Sequence, residues 1–177
     1  MRKLIATLIV TMLCVCSITI GQDVNEPVKG FTSWIGVTEN TNSTLIGRIG
    51  WQEKQIELGG TCKWWTANEE QRITPDVAGA YLLFFLKQEG KIIDPQPDNP
   101  IDIWLQKLNS NPYAGAEIVG RTKSGVDHSA RINWMAGSLF SFNPDYKTSL
   151  AIEYIGGQGA IMPDDDWGVV FHFRHRF

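Results

Sequence analysis

The sequence predicts an all-β protein in which about eight antiparallel strands close into an up-and-down transmembrane β-barrel. Segments of about ten residues alternate apolar and polar side chains, which is the pattern of strands with two different faces. Charged residues keep to one of the two faces. After the first 21 residues, the longest apolar run is 78–86, less than half of the roughly 20 residues that a membrane-spanning helix needs. Any crossing of a membrane would therefore use strands.

The alternating segments are separated by clusters of Gly, Pro, Asn and Asp, the residues that favour turns. Most segments have about the ten residues that a tilted strand needs to cross a bilayer, whereas strands in soluble sheets usually have about five or six. The predicted strands are 31–38, 44–52, 55–65, 78–87, 113–122, 129–142, 148–156 and 167–177.

In six of these strands the apolar face contains no Asp, Glu, Lys or Arg, although such residues make up 20% of the chain. The other face mixes charged residues with glycines at 50, 59, 115, 137 and 168. Small residues beside long ones suit a narrow barrel interior, where each long side chain needs space to lie across the tube. We therefore expect a closed interior filled by one charge network, comprising Arg48, Glu57, Lys63, Glu117, Arg121, Arg131, Glu153, His172, Arg174 and Arg176.

The segment 88–112 differs from the rest because its proline-rich start leads into a helical pattern. Ile101, Trp104, Leu105 and Leu108 recur at helical spacing, which predicts a short amphipathic helix within a long connection. We expect this helix to lie at the membrane interface over the inner leaflet or the barrel mouth, or else to pack on the barrel rim.

The first residues resemble a secretory signal peptide, because Arg2 and Lys3 precede an apolar run from Leu4 to Ile20. Cleavage is expected after Gly21, which leaves one domain over 22–177; an uncleaved membrane anchor is the alternative. The whole chain has a formal net charge of −3, and losing two cations makes it more negative, so no nucleic-acid partner is expected. Only Cys62 would remain, so no intramolecular disulfide is expected.

A secreted β-sandwich would show the same alternation with its apolar face turned inward. Two features favour the membrane barrel. Aromatic residues gather at strand ends, where rings lie between lipid tails and water, at Trp51, Trp64, Trp65, Phe140, Phe142, Tyr154, Trp167 and Phe177. The sequence also stops inside a predicted strand.

Phe171, Phe173 and Phe177 alternate in this final strand and resemble the carboxy-terminal signature of bacterial outer-membrane barrels. With eight strands and a charged interior, the chain resembles the small OmpA/OmpX type of barrel, although His175 stands where an apolar residue is usual. The resemblance implies the outer membrane of a Gram-negative bacterium and an assembly signal recognised by the barrel assembly machinery. A periplasmic amino terminus then places the connections 52–55, 143–147 and 88–112 in the periplasm, and the other connections outside.

Candidate catalytic and metal-binding residues are few. Asp127, His128 and Ser129 invite comparison with the lipid A deacylase barrels, but adjacent residues of a strand point to opposite faces, so His128 would not activate Ser129. The same alternation separates His172 from His175. The acidic run 164–166 suggests either a calcium-binding loop or a solvated loop, and the second is favoured. We expect no enzymatic activity, no cofactor and no metal.

The expected function is therefore a non-enzymatic contribution to envelope integrity or surface adhesion through the outer loops. The expected partners are outer-membrane lipid, lipopolysaccharide and the assembly machinery, and the sequence does not indicate a surface ligand. The alternatives are a lipid-modifying barrel enzyme, a narrow channel and a soluble periplasmic β-sandwich that binds a ligand.

Overall fold

The computed structural model describes residues 29–38, 44–65, 74–86, 110–122, 129–141, 147–157, 160 and 166–177. These residues form eight β-strands. They are β1 (Lys29–Thr38), β2 (Thr44–Glu53), β3 (Ile56–Trp65), β4 (Val77–Phe85), β5 (Ser110–Arg121), β6 (Arg131–Ser141), β7 (Thr148–Gly156) and β8 (Trp167–Arg176).

Each strand pairs in antiparallel fashion with the next along the chain, and β8 pairs with β1 to close the ring. The predicted all-β, eight-stranded closed barrel is confirmed, and the two-sheet sandwich is wrong. Closure gives every strand two hydrogen-bonded neighbours, so the sheet has no open edge. Within the described residues, no helix is long and apolar enough to span a membrane.

The strands are strongly tilted. We call the end where β1 begins and β8 ends the termini end, and the other the opposite end. Paired residues lead from Phe31 at the termini end, through Trp51 and Trp134, to Trp167 at the opposite end. One such circuit shifts the register by roughly ten residues, which for eight strands corresponds to a tilt of about 40°. A ten-residue strand at this tilt covers about 25 Å of barrel height.

The two faces of the wall have opposite chemistry. In β2, Arg48 is 2% exposed while its neighbour Ile49 is 70% exposed. In β7, Glu153 is fully buried and Ile152 is 47% exposed. Charged side chains therefore point into the barrel, as the alternation predicts, and they share the interior with buried apolar groups such as Trp34 and Leu83. The exposed outer face is aliphatic and aromatic.

Strand limits differ from the prediction mainly at β5, which begins at Ser110 rather than at 113. Pro112 lies inside the strand opposite Ser138, and its carbonyl accepts a hydrogen bond of 2.8 Å from the Leu86 amide. Proline has no amide hydrogen to donate to a sheet ladder, but the Pro112 carbonyl still takes part in the pairing. The predicted connection 88–112 therefore extends three residues too far. The predicted helix over Ile101–Leu108 and the predicted signal peptide lie outside the described residues.

Candidate functional site: the charged barrel interior

Among the residues that the structure describes, three glutamates are buried in the interior, each from a different strand, and each accepts hydrogen bonds from its own donors. Near the termini end, Glu57 of β3 accepts hydrogen bonds from Trp34 Nε1 (2.6 Å), Tyr81 Oη (2.7 Å) and an Arg174 terminal nitrogen (3.0 Å). Arg174 also donates to the side-chain oxygen of Gln52. Strands β1, β3, β4 and β8 thus meet at this carboxylate, and β2 joins through the contact of Gln52 with Arg174. We call this group the Glu57 cluster.

Deeper in the barrel, Glu153 of β7 and Arg48 of β2 form a two-pronged ion pair. Both terminal nitrogens of Arg48 lie 2.8 Å from a carboxylate oxygen of Glu153. Tyr113 Oη donates to Glu153 at 3.0 Å, and His172 Nε2 lies 3.2 Å away. The planar guanidinium matches a carboxylate in this geometry, which makes such pairs strong and directional. We call this group the Glu153 cluster.

Toward the opposite end, Glu117 of β5 forms an ion pair with Lys63 of β3 and accepts a 2.9 Å hydrogen bond from Asn133 Nδ2. A terminal nitrogen of Arg48 lies 3.8 Å from Glu117, which joins this Glu117 cluster to the Glu153 cluster. Lys63 also donates to the carbonyl of Ala160, which belongs to the β7–β8 connection and is fully buried. Ala160 therefore lies against the interior charge network at this end.

The three clusters balance their charges, with Arg174, Arg48 and Lys63 facing Glu57, Glu153 and Glu117. The sequence places six cations and three anions on the inner face. Three of the cations are paired in these clusters, so the other three need different surroundings. Arg176 is the last residue of β8, and its side chain is buried at the termini end. Arg121 and Arg131 are partly exposed near the opposite end, and the Arg121 guanidinium lies 5.6 Å from the centre of the Trp65 ring.

Aromatic rings fill the space between the ionic groups. The Arg48 guanidinium lies 5.3 Å from the Tyr81 ring centre, and the Arg174 guanidinium lies 5.2 Å from Trp34 and 5.4 Å from Phe85. Cations over ring faces are attracted to the π electrons, and more so without water. Glu57 and Arg174 have no exposed surface, so this part of the interior is packed and shielded from bulk solvent.

Glycines make room for the large interior side chains. A Cβ on Gly50 would lie 2.4 Å from Tyr81 Oη, and one on Gly137 would lie 2.7 Å from Tyr113 Oη. Gly36 in β1 behaves in the same way, because a Cβ there would lie 2.3 Å from His172 Nδ1. Any larger residue at these positions would push a buried ring out of its hydrogen-bonded position.

The sequence reasoning missed Trp34, Tyr81 and Tyr113, although these three rings provide donors to the buried carboxylates. Both tyrosine hydroxyls donate to a buried glutamate. Tyr81 lies in β4, which is apolar throughout and gives no parity signal. The pairing of β4 with β5 shows which way Tyr81 points. Tyr81 lies opposite Glu117, which belongs to the inner face, and residues opposite each other in a sheet share a face.

The outer wall has aromatic residues at both ends and aliphatic residues between them. At the termini end, Phe31 meets Trp51 edge to face with ring centres 4.8 Å apart. At the opposite end, Trp134, Tyr154 and Trp167 form a row with spacings of 5.0 and 5.8 Å. The exposed aliphatic side chains between these two belts include Ile49, Leu58, Leu82 and Ile152.

Not every predicted strand-end aromatic faces outward. Trp65 shares the inner parity of β3 with Lys63 and lies beneath Arg121. Phe142 lies outside the described residues, whereas Trp64 shares the outer parity of β3 with Cys62, which is half-buried.

The proposed assembly-signal residues Phe171, Phe173 and Phe177 share the outer parity of the last strand. The Phe177 amide donates to the Phe31 carbonyl at 2.9 Å, and the Phe177 side chain is 45% exposed. His175 stacks edge to face on Phe177 with ring centres 4.8 Å apart. The carboxy terminus is thereby paired with the first strand.

Among the described residues, no group of three or more His, Cys, Asp or Glu side chains is placed to hold a metal ion. His172 points inward to Glu153, and His175 belongs to the outer parity and contacts Thr148. His128 and the acidic residues 164 and 165 lie outside the described residues, and Ser129 is exposed.

Comparison with protein-family models, with curated proteins and with solved structures finds no match. The closed eight-stranded barrel is the architecture that the resemblance to OmpA/OmpX-type barrels implies.

Proposed function

We propose that this chain is an integral outer-membrane barrel with a closed interior, which contributes to envelope integrity or surface adhesion without catalysing a reaction. The observation that carries the proposal is the reversal of the usual distribution of side chains. Large apolar residues such as Ile49 (70% exposed) cover the outside, while three carboxylates and four Lys or Arg side chains of the described residues are buried inside. A water-soluble barrel would be more stable with its large apolar side chains inside and its charges outside. An outer surface of large apolar side chains instead suits a barrel surrounded by lipid.

The dimensions of the wall support the same placement. Its strands cover about 25 Å, which is the height of the apolar band of outer-membrane barrels. The aromatic belts at the termini end and at the opposite end lie where rings meet the two lipid–water interfaces. Ile152 and Leu82, which are about half exposed, would contact acyl chains between these belts.

The connections support an orientation with the termini end in the periplasm. Residues 54–55 alone link β2 to β3 there, and tight turns are typical of the periplasmic side of such barrels. The opposite end would then meet lipopolysaccharide and the cell surface. The exposed Phe177 ring and its resemblance to the terminal signature support recognition by the assembly machinery.

The packed interior supports a scaffold rather than a channel. Arg48 and Glu153 join β2 to β7 across the interior, and Lys63 joins β3 to the carbonyl of Ala160. Ions would have to separate these paired groups where both partners are buried from bulk solvent, which is costly. In this proposal the barrel holds its outer connections at the cell surface and conducts no steady current.

Cell fractionation tests the membrane placement. The protein is expressed with its own amino-terminal segment in a Gram-negative host, and the envelope is washed with high salt and with alkaline carbonate. We expect extraction by detergent alone, from the outer-membrane fraction. Recovery in the periplasmic fraction without detergent would overturn the proposal.

Three further measurements separate the functional alternatives. Planar bilayers containing the purified protein should show no steady conductance, and a reproducible open channel would favour the channel. Lipid A mass spectra should be the same with and without the gene, and an altered acyl pattern would favour a lipid-modifying enzyme.

A deletion strain should lose detergent resistance or surface attachment and regain it on complementation. If neither property changes, the proposed role is wrong.

A further inference from the structure

The outer wall contains a groove at the termini end, around the turn that joins β2 to β3. Its volume is about 450 Å³, within the range of roughly 300–1,000 Å³ that small-molecule sites occupy. The residues that line it are Trp51, Glu53, Lys54, Gln55, Ile56 and Phe84. Three of them are apolar and belong to the wall, and three are polar and belong to the turn or its edge.

The apolar part of the groove spans three adjacent strands. Trp51 comes from β2, Ile56 from β3 and Phe84 from β4, and Ile56 pairs directly with Phe84. Ile56 and Phe84 are 51% and 52% exposed, so both offer apolar surface to an occupant. Phe31, opposite Trp51 in the β1–β2 pair, packs edge to face against it and continues the apolar surface beside the groove. The groove is therefore apolar where it faces the proposed lipid.

The polar lip of the groove is held in place from two sides. Lys54 adopts a left-handed backbone conformation (φ 57°). Its carbonyl accepts a 3.1 Å hydrogen bond from the side-chain amide nitrogen (Nε2) of the buried Gln52. Gln55 donates to the Leu86 carbonyl at 3.0 Å, which ties the turn to the end of β4. Glu53 and Lys54 are both exposed, so the lip presents an anion beside a cation at a fixed turn.

We propose that this groove binds one zwitterionic glycerophospholipid of the periplasmic leaflet, an inference that rests on the proposed membrane placement. An acyl chain lies between Trp51 and Phe84, over Ile56. The lipid phosphate meets the Lys54 ammonium, and the ammonium of the headgroup meets the Glu53 carboxylate. A purely anionic lipid would satisfy Lys54 but leave Glu53 without an opposite charge, and free phosphate would leave the apolar walls unused.

Native mass spectrometry of the detergent-purified chain tests the headgroup assignment. The protein is mixed with equal amounts of phosphatidylethanolamine, phosphatidylglycerol and diacylglycerol that carry the same acyl chains. We expect one phosphatidylethanolamine per chain, retained roughly three- to fivefold over the other two, the range for partly exposed charge contacts. Equal retention of all three lipids would overturn the proposal.

Charge variants make the test specific to the lip. Lys54→Glu should abolish the preference over diacylglycerol, whereas Lys147→Glu, at the same end but on the far side of the barrel, should leave it unchanged. Glu53→Lys should reverse the order of phosphatidylethanolamine and phosphatidylglycerol. Identical lipid profiles for Lys54→Glu and Lys147→Glu would show that retention reflects general surface charge and would overturn the site.

Removing an apolar side chain from the groove should change the total amount of lipid retained rather than the preference among headgroups. Phe84→Ala should lower retention of all three lipids, because the acyl chain loses a contact, while Phe140→Ala in the same belt should not. Should Phe84→Ala fail to fold, the charge variants still decide. A chain that remains membrane-bound without lipid preference refutes the groove alone, whereas a chain recovered without detergent refutes the proposed function.

Discussion

Glu153→Gln tests the interior network at its most heavily bonded carboxylate. The substitution keeps the side-chain volume and removes one charge. Arg48 then loses the charged partner of its two 2.8 Å contacts and keeps at most one acceptor there, the new amide oxygen. The nearest remaining carboxylate contact in the described network is Glu117, at 3.8 Å. The new amide also points a donor at a guanidinium that can only donate.

The size of the effect follows from the burial of both groups, since the side chains of Arg48 and Glu153 have no exposed surface. Removing one partner of a buried ion pair leaves an uncompensated charge and costs about 3–5 kcal/mol. We expect the free energy of unfolding to fall by that amount. Replacing both partners, as in Arg48→Met with Glu153→Gln, should recover at least about 1 kcal/mol, because no unpaired charge remains at this position.

Urea unfolding in lipid vesicles, followed by tryptophan fluorescence, measures these differences. Arg121→Gln is the matched control, because Arg121 is partly exposed near the opposite end and contacts Trp65. Its loss should cost about 1 kcal/mol or less. The reasoning is refuted if Glu153→Gln unfolds within about 1 kcal/mol of the parent, or if the double variant is less stable than Glu153→Gln.

Three other substitutions test separate parts of the structure. In vesicle refolding, Ile152→Arg, in the middle of β7, should cost about 2–4 kcal/mol and Ile132→Arg, in the second residue of β6, about 0–1 kcal/mol; equal costs would contradict the proposed depth. Gly36→Ala should lower the free energy of unfolding, measured by urea, by about 1–3 kcal/mol, because the new Cβ displaces the buried imidazole of β8. Gly60→Ala is the control and should be tolerated, since its new Cβ would lie 3.8 Å from the nearest atom. Similar urea midpoints for the two variants would argue against a packed interior. Phe177→Ser should reduce assembled protein in cells, measured by immunoblot of outer membranes, far more than it reduces refolding into synthetic bilayers, and undiminished assembly would count against the terminal signal.

Alternation predicted the barrel well because membrane-facing and interior-facing positions must differ strongly in chemistry. In β7 and β8, and in β2 apart from Glu53 at its end, the acidic residues and the Lys and Arg residues lie on one parity only, so the strand positions and their inner faces followed directly. Nothing similar exists in β4, where both parities are apolar. Tyr81 and Phe85 of that strand therefore went unassigned until pairing with β5 fixed which face they share.

The partners of each charge were beyond the sequence for a different reason. Glu57 meets Arg174 across 117 positions of the chain, and Arg48 meets Glu153 across 105. Such pairs depend on the stagger of the whole barrel, which is the combined result of eight registers. Counting charges gave an excess of three cations. The structure divides them by depth, with balanced pairs in the middle and Arg121, Arg131 and Arg176 toward the ends.

Collision accessibility of a nitroxide on Ile152→Cys tests the central claim most directly. The label is introduced in a Cys62→Ser background, and the protein is placed in phospholipid vesicles. If the outer wall faces lipid, the nitroxide should collide far more often with oxygen, which concentrates in the bilayer, than with a water-soluble nickel chelate. Equal or greater collision with the nickel chelate would contradict the account, because the aliphatic band of the barrel would then face water.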